Sequence, residues 1–181
     1  MTAASGGGGQ GAVPAPRRAV VEWSDPRAVV EGWRGRTGAE YVAAVACGDI
    51  PVPPLVSLLG YDALEERAGS VTILATPGEM HYNAIGTVHG GYAATLLDSA
   101  MTLAVMTTLP ADTGCTTLDI QVRYVRPLVA GSGQVRCIGT VLHSGSRTAT
   151  VEGRLFDAAG RLCAHGTSAC LLVPRDPAQR G

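Results

Sequence analysis

Aromatic and charged residues are scarce in this sequence. Aromatic side chains make up 4% of the 181 residues and charged ones 16%, with 14 Lys and Arg against 15 Asp and Glu. A formal net charge of −1 offers no basic surface, so we expect neither nucleic acid nor a membrane as partner. The longest apolar run carries Asp98, and the N-terminus lacks the apolar core of a signal peptide. We therefore expect a cytoplasmic protein without a membrane span.

Metal-binding and redox motifs are missing as well. The five cysteines form no C-x-x-C pair, and the four histidines show no H-E-x-x-H spacing. An odd number of scattered cysteines in an otherwise apolar sequence is typical of buried free thiols. We predict no metal site.

Composition divides the chain into four parts. Residues 1–18 are rich in Gly, Ala and Pro and predict a disordered tail, and residues 175–181 predict a loose C-terminal tail. Residues 19–60 predict an N-terminal helical segment, and residues 61–174 a single larger domain. The helical segment serves either as a packing element or as a lid over a pocket.

The helical segment has recognisable start signals. Asp25, followed by Pro26, can cap one short helix, and Thr37 can cap a second that ends near Gly48. The prolines at 51, 53 and 54 then predict an extended link to the following apolar residues.

The stretch from His81 to Leu109 organises the chain. The turn formers Asn83 and Gly86 lead to His-Gly-Gly at 89–91, and helix-competent residues follow. At 100° per residue, one apolar stripe collects Ala93, Leu96, Leu97, Ala100, Leu103 and Ala104. Asp98 lies off this stripe among small and apolar neighbours. Because a helix that is apolar nearly all round is buried on both sides, its carboxylate needs a partner and is a candidate functional group.

Gly90 and Asp98 together suggest a shared site. Backbone N–H groups at a helix start bind anions, and glycines there allow close approach of a carbonyl group. Eight residues of helix separate the two by roughly 12 Å, too far for one chain to bring both to a single reacting carbon. A two-fold pair of antiparallel helices would join Gly90 of one copy to Asp98 of the other. We therefore expect an obligate dimer with two shared sites.

The remaining chain predicts an antiparallel sheet. Alternation is strict in residues 117–125, where Leu118, Ile120, Val122 and Tyr124 alternate with polar residues. Asp112-Thr113-Gly114 breaks the chain before this strand. The other predicted strands cover residues 63–67, 70–76, 133–143, 148–156 and 161–173. Short strands, one long helix and a meander that must wrap it give an α+β fold.

Several of these residues resemble the hotdog-fold thioesterases of the phenylacetate-degradation (PaaI-like) group. The motifs that match, all within residues 50–174, are Asn83-x-x-Gly86-x-x-His89-Gly90-Gly91, Leu97-Asp98-Ser99-Ala100 and Thr117-Leu118-Asp119-Ile120-x-Val122-x-Tyr124-x-Arg126-Pro127. The resemblance implies a hotdog fold, an antiparallel sheet wrapped round one long central helix. It also implies a homodimer or a dimer of dimers that hydrolyses acyl-CoA thioesters at the dimer interface.

The resemblance also implies roles for the central residues. Gly90, alone or with Gly91, would donate a backbone N–H to the thioester oxygen. Asp98 of the partner subunit would act as general base on water or as nucleophile. Thr117 would help to place the water, with Thr116 as the alternative. No cofactor is implied, because a thioester is already activated and water is the second reactant.

Four further residues are carried over with weaker roles. Asn83 would contact the thioester, the alternative being a residue that merely holds a left-handed turn. His89 would brace the loop or approach the sulfur. Arg126 and Arg147 are candidate contacts for the CoA phosphates, although surface arginines are usually only solvated.

Three other functions compete with hydrolysis. A non-hydrolytic acyl-CoA sensor or carrier would keep the pocket and lose the acid, which the presence of Asp98 disfavours. A hotdog dehydratase would place a His and an acid around a hydroxyacyl group, and the position of Asp98 fits a thioesterase better. A small structural domain would leave Asp98 without a role. The acyl group stays open at this point.

Overall fold

A computed structural model describes residues 15–174 of the chain. Residues 1–14 of the predicted tail and the predicted tail 175–181 lie outside the described residues. Residues 15–18 belong to no helix or strand, and the Arg17 guanidinium pairs with Glu79.

Three short helices precede the sheet: α1 (Pro26–Gly32), α2 (Gly38–Cys47) and α3 (Pro54–Leu59). The side chain of Asp25 accepts from the Arg27 amide at the start of α1. Thr37 and Glu40 form a capping box at the start of α2. Residues 51–53 lie outside any helix or strand and Pro53 has an extended ψ of 147°, as the predicted link requires, but the link is shorter than predicted because Pro54 begins α3. A proline at the first helical position is compatible with a helix, since its missing N–H has no intrahelical partner there.

The larger domain is one antiparallel sheet and one long helix. Helix α4 (Gly90–Met106) follows the first two of six strands, which are β1 (Tyr61–Arg67), β2 (Ser70–Ala75), β3 (Thr113–Tyr124), β4 (Val135–Ser144), β5 (Thr148–Phe156) and β6 (Leu162–Pro174). Their order in the sheet is β1-β2-β4-β5-β6-β3, and every neighbouring pair is antiparallel. This arrangement confirms the predicted fold.

Helix α4 packs against the sheet through its apolar stripe. Ala93, Leu96, Leu97, Ala100 and Ala104 are all buried. The sheet comes unusually close to the helix at two glycines paired across β4 and β5, Gly139 and Gly153. A Cβ atom at residue 139 would lie 2.2 Å from the carbonyl oxygen of Ala100. These glycines therefore set the distance between the helix and the sheet.

Strand β3 departs from the prediction in two ways. It begins at Thr113, so the expected break shrinks to Asp112, which takes a left-handed φ of 57°. A β-bulge then leaves Leu118 without a partner, because Thr117 pairs with Cys170 and Asp119 with Ala169. The extra residue changes the alternation. Thr117 consequently faces α4, although simple period two places it on the polar face.

Within residues 15–174, no helix is long and apolar enough to cross a membrane.

Candidate active site

Asp98 and Thr117 meet between helix α4 and strand β3. The Thr117 hydroxyl donates a 2.8 Å hydrogen bond to Oδ1 of Asp98, and the Thr102 hydroxyl lies 3.4 Å from that of Thr117. Asp98 is half-buried, so its carboxylate is neither hidden in the core nor fully solvated. Thr116, the sequence-level alternative, is exposed and makes no such contact. A carboxylate held by a hydroxyl at the edge of a cavity is suited to accept a proton or to attack a carbonyl carbon.

A cavity of about 700 Å³ opens beside this pair. Asp98, Ser99 and Thr117 line it from the side of α4 and β3, and residues of α2, α3 and β1 line the opposite side. The Tyr61 hydroxyl donates to the Ser99 hydroxyl at 2.9 Å. Burial raises the pKa of Tyr61 to about 12, with a further contribution from the charge of Asp98. Tyr61 therefore stays protonated at neutral pH, and its hydroxyl group acts as a hydrogen-bond donor to Ser99.

The Cys115 thiol lines the same cavity. Its hydrogen bond with Cys170 and its burial both raise its pKa above the usual range of a thiol. A protonated thiol is a poor nucleophile. Asp98 is consequently the better candidate for the reactive group here.

Asn83 shapes the loop before α4. Its side-chain oxygen accepts from the amides of Ile85 (3.0 Å) and Thr87 (3.1 Å), and its amide nitrogen donates to the Thr87 hydroxyl (2.9 Å). The left-handed alternative for Asn83 is wrong. Gly86 takes the left-handed conformation instead, with φ 77°, and Asp112 is the single non-glycine residue with positive φ in the described part of the chain.

His89 is the N-cap of α4. Its Nδ1 accepts a 2.8 Å hydrogen bond from the Gly91 amide, and its backbone N–H donates to the His81 carbonyl oxygen. The Gly91 amide is thus already engaged within the loop. The Gly90 amide donates to no oxygen among residues 15–174, and the Tyr124 hydroxyl donates to the Gly90 carbonyl oxygen at 3.0 Å. At the helix start, Gly90 therefore offers the free donor.

A second, smaller cavity of about 330 Å³ adjoins this loop. Asn83, Gly90, Tyr124 and Arg126 are among the residues that line it. Arg147, in contrast, lies exposed in the turn between β4 and β5 and lines neither cavity.

Within one chain the predicted site residues therefore fall into two groups. Asp98 and Thr117 border the larger cavity, whereas Asn83, Gly90 and Arg126 border the smaller one. Sequence reasoning missed Tyr61 and Ser99. Ser99 follows the acid in the motif, but no sequence signal marks the long-range contact with Tyr61. Within residues 15–174, no group of three or more His, Cys, Asp or Glu side chains could hold a metal ion.

The sheet, the enclosed helix and the acid on that helix define the chain as a hotdog-fold protein. Residues 85–164 match the family model of the thioesterase superfamily. Human acyl-coenzyme A thioesterase 13 is 34% identical over an alignment of 113 positions, and the match covers 56% of this chain and 79% of the human protein. The chain belongs to the thioesterase superfamily, and the prediction of a thioesterase is confirmed.

Solved structures agree with this assignment. A phenylacetic acid degradation-related protein from Ralstonia eutropha JMP134 is 28% identical, and the match covers 72% of this chain and 98% of that one at a TM-score of 0.66. The PaaI protein of E. coli, from its phenylacetic acid degradation operon, shares the fold at a TM-score of 0.65 and 17% identity, over 75% of this chain and 94% of that one. The resemblance to the PaaI-like group is confirmed.

Proposed function

We propose that this chain hydrolyses an acyl-CoA thioester to the free acid and CoA. The observation that carries the proposal is the hydrogen bond between Thr117 and Asp98 at the edge of the 700 Å³ cavity. It gives a thioesterase a carboxylate positioned next to a space that an acyl group can fill. The name of the human relative, an acyl-coenzyme A thioesterase, supports CoA as the thiol carrier.

In the proposed reaction, Asp98 acts on the thioester carbon in one of two ways. As general base it takes a proton from water while the water oxygen attacks the carbon. As nucleophile it attacks the carbon itself, and water then cleaves the anhydride. In both cases the C–S bond breaks, the thiolate of CoA takes up a proton, and the carboxylic acid leaves.

The Gly90 amide is the proposed donor to the thioester oxygen. As the carbon becomes tetrahedral, negative charge collects on this oxygen, and a fixed N–H at the start of a helix stabilises it. Because the Gly91 amide is bonded to His89, we assign this role to Gly90 alone and give His89 the task of bracing the loop. Asn83 keeps the loop in shape beside it. Arg126, at the smaller cavity, is the proposed contact for a CoA phosphate.

We further propose that each site is shared by two copies of the chain. Strand β3 is at the edge of the sheet and exposes Leu118, Ile120 and Tyr124, which are 57%, 36% and 57% accessible. A long edge strand with exposed apolar side chains invites pairing with another strand. Antiparallel pairing of two β3 edges about a two-fold axis would bring the Thr117 end of one strand to the Tyr124 end of the other. Asp98 would then approach the partner subunit's Gly90.

The decisive experiment is a thiol-release assay on the purified protein and its Asp98→Asn variant. A panel of acetyl, medium-chain, long-chain and phenylacetyl CoA esters covers the open acyl group. We expect hydrolysis of at least one ester and a loss in the variant of about 10²- to 10⁴-fold, the usual contribution of a positioned base. The fold should stay intact, since Asn fills the same volume.

Asp49→Asn is the matched control. Asp49 is exposed, lies outside β3 and lines neither cavity, so its substitution should leave turnover unchanged. Wild-type hydrolysis by Asp98→Asn would refute the proposal. Tight acyl-CoA binding with no hydrolysis of any ester would establish the sensor or carrier function instead.

A further inference from the structure

The larger cavity has one wall that the family match does not include. The matched residues 85–164 supply Asp98, Thr117 and their neighbours. The facing wall comes from residues 41–64, which belong to α2, α3 and β1. A ligand in this cavity beside Asp98 is therefore in contact with a segment that lies outside the matched part.

The facing wall is apolar. Its side chains include Val42, Val45, Val52, Leu55 and Val56. No Lys or Arg is found among the described residues that line the cavity. The phosphates of a CoA molecule would find no counter-charge in it. The chemistry of this wall fits an apolar group.

Asp62 is the second carboxylate that lines the cavity, and it is already engaged. Its Oδ2 accepts from the Thr76 hydroxyl at 2.7 Å and from the Gln134 side-chain amide at 2.9 Å. Asp98 accepts from Thr117 alone among the described residues, so it is the less engaged of the two acids and the better candidate for chemistry on a bound group.

The volume of the larger cavity is too great for a very small ligand to fill it. A cavity of about 700 Å³ is several times the roughly 150 Å³ that holds a benzene ring in an apolar protein cavity. An acetyl group would leave most of this space to water. A chain of many methylene groups would displace that water and bury apolar surface along the wall.

Helix α3 forms the rim of the cavity and is incompletely packed. None of its six residues is buried. Leu55 is 52% exposed and Val52, just before the helix, is 36% exposed. Exposed apolar side chains at the edge of an apolar cavity are stabilised when a ligand covers them. An open rim also lets a longer chain extend past it without a clash.

We propose that α2 and α3 form the acyl-binding wall and select long aliphatic acyl chains, with Leu55 as a specificity-determining residue. This inference rests on the proposed thioesterase function and names its substrate class. The matched part of the chain supplies the chemistry, and residues 41–64 supply the preference.

Helix α3 provides its own control for the test. Leu58 is 51% exposed, nearly the same as Leu55, but it does not line the cavity. Leu55→Asp places a charge in the acyl-binding wall, while Leu58→Asp places the same charge on the same helix outside it. Both variants should fold, because both positions are already in contact with water.

The first measurement is kcat/KM over a series of straight-chain CoA esters from acetyl to palmitoyl. For the wild type we expect a rise of about fourfold per added methylene until the chain passes the rim, and then a plateau. Leu55→Asp should lower kcat/KM for decanoyl-CoA by about tenfold or more and leave butyryl-CoA unchanged. Leu58→Asp should match the wild type throughout. A flat series, or equal losses in both variants, would overturn the proposal.

The second measurement does not depend on hydrolysis. Binding of the thioether S-decyl-CoA, which cannot be hydrolysed, is followed by calorimetry on the same three proteins. Weaker binding by Leu55→Asp alone supports the acyl-binding wall even if no ester is hydrolysed. The wall and the thioesterase function can therefore fail independently of each other. Equal affinity of all three proteins for the thioether counts against the wall whatever the rates show.

Discussion

The positions of Asp98 and Thr117 explain why this acid is a better candidate than others in the chain. Most carboxylates of the described residues are exposed or are tied to an arginine, as Asp25 is to Arg27 and Asp157 to Arg161. Among residues 15–174, Asp98 has a hydroxyl partner and forms no ion pair with a cationic side chain. A hydroxyl group orients a carboxylate without forming an ion pair with it.

Thr117→Val tests this orienting role. Valine keeps the shape of threonine and removes the hydrogen bond to Asp98, so we expect kcat for the best CoA ester to fall about 10- to 100-fold. Thr117→Ser should recover most of the loss, because it restores a hydroxyl group.

Thr116→Val is the control for the same substitution one residue away. Thr116 lines the same cavity but is exposed and makes no hydrogen bond to the acid. Its replacement makes the same change of side chain in the same wall without touching Asp98, so kcat should stay unchanged. Equal effects at both positions would mean that Thr117 acts only through the packing of β3.

At the residue scale, the sequence marks Asp98 as a candidate acid but does not reveal the contacts around it. Asp98 is visible because one charged residue stands among small and apolar ones along a helical period. The bulge at Leu118 decides that Thr117 and not Thr116 contacts Asp98. No residue type at these positions predicts a bulge. The hydrogen bond from Gly91 to His89 was equally hidden, since it depends on the rotamer of one side chain.

Among the secondary-structure elements, α4 is the one that fixes the site. It carries Gly90 at its first residue and Asp98 two turns later, and it is held against the sheet by close contact at Gly139. Its length and burial were predictable from a single strong period. Helix α3 was not, because its six residues are too few to show a period and three nearby prolines suggest extended chain.

Gly139→Ala tests the close contact of helix and sheet. The added methyl group would meet the backbone of Ala100 at 2.2 Å, and backbone can yield only if α4 moves away from β4. We expect the free energy of unfolding to fall by about 3 kcal/mol, measured by urea denaturation.

Gly78→Ala serves as its reference. Gly78 has an ordinary extended backbone with φ −108°, and a Cβ atom there meets nothing within 4 Å. Its stability should stay close to that of the wild type. A similarly small effect at Gly139 would show that the helix has room to shift.

For the whole molecule, the main question is how the two groups of site residues meet. The sequence already indicates that Gly90 and Asp98 of one chain cannot act on the same carbon, since roughly 12 Å of helix separate them. In the structure they border different cavities. How two copies pair depends on the fit of two surfaces, which a sequence pattern does not encode.

Mixing two inactive variants tests the shared site. Gly90→Pro removes the proposed oxyanion donor and keeps α4, because proline is tolerated at the first helical position and His89 is already extended with ψ 137°. Refolded together in equal amounts, Gly90→Pro and Asp98→Asn chains should recover about a quarter of wild-type turnover. Half of the dimers would be mixed, and each would hold one intact site of two.

Gly90→Ala is the companion variant. Alanine at residue 90 places a Cβ atom 3.1 Å from the Tyr124 ring, as proline also would. Alanine keeps the backbone N–H, so this variant should stay active. No recovery in the mixture, with each variant folded and dimeric, would place the complete site within a single chain.

The proposed sharing of one site between two copies of the chain would have an evolutionary consequence. If two copies of this gene fused into one, each half would need only some of its site residues, because in the proposed arrangement a working site takes its acid from one half and its loop from the other. The second site of the fused protein would then be redundant. Released from selection for hydrolysis, it would be free to diverge toward a new acyl group or toward binding alone.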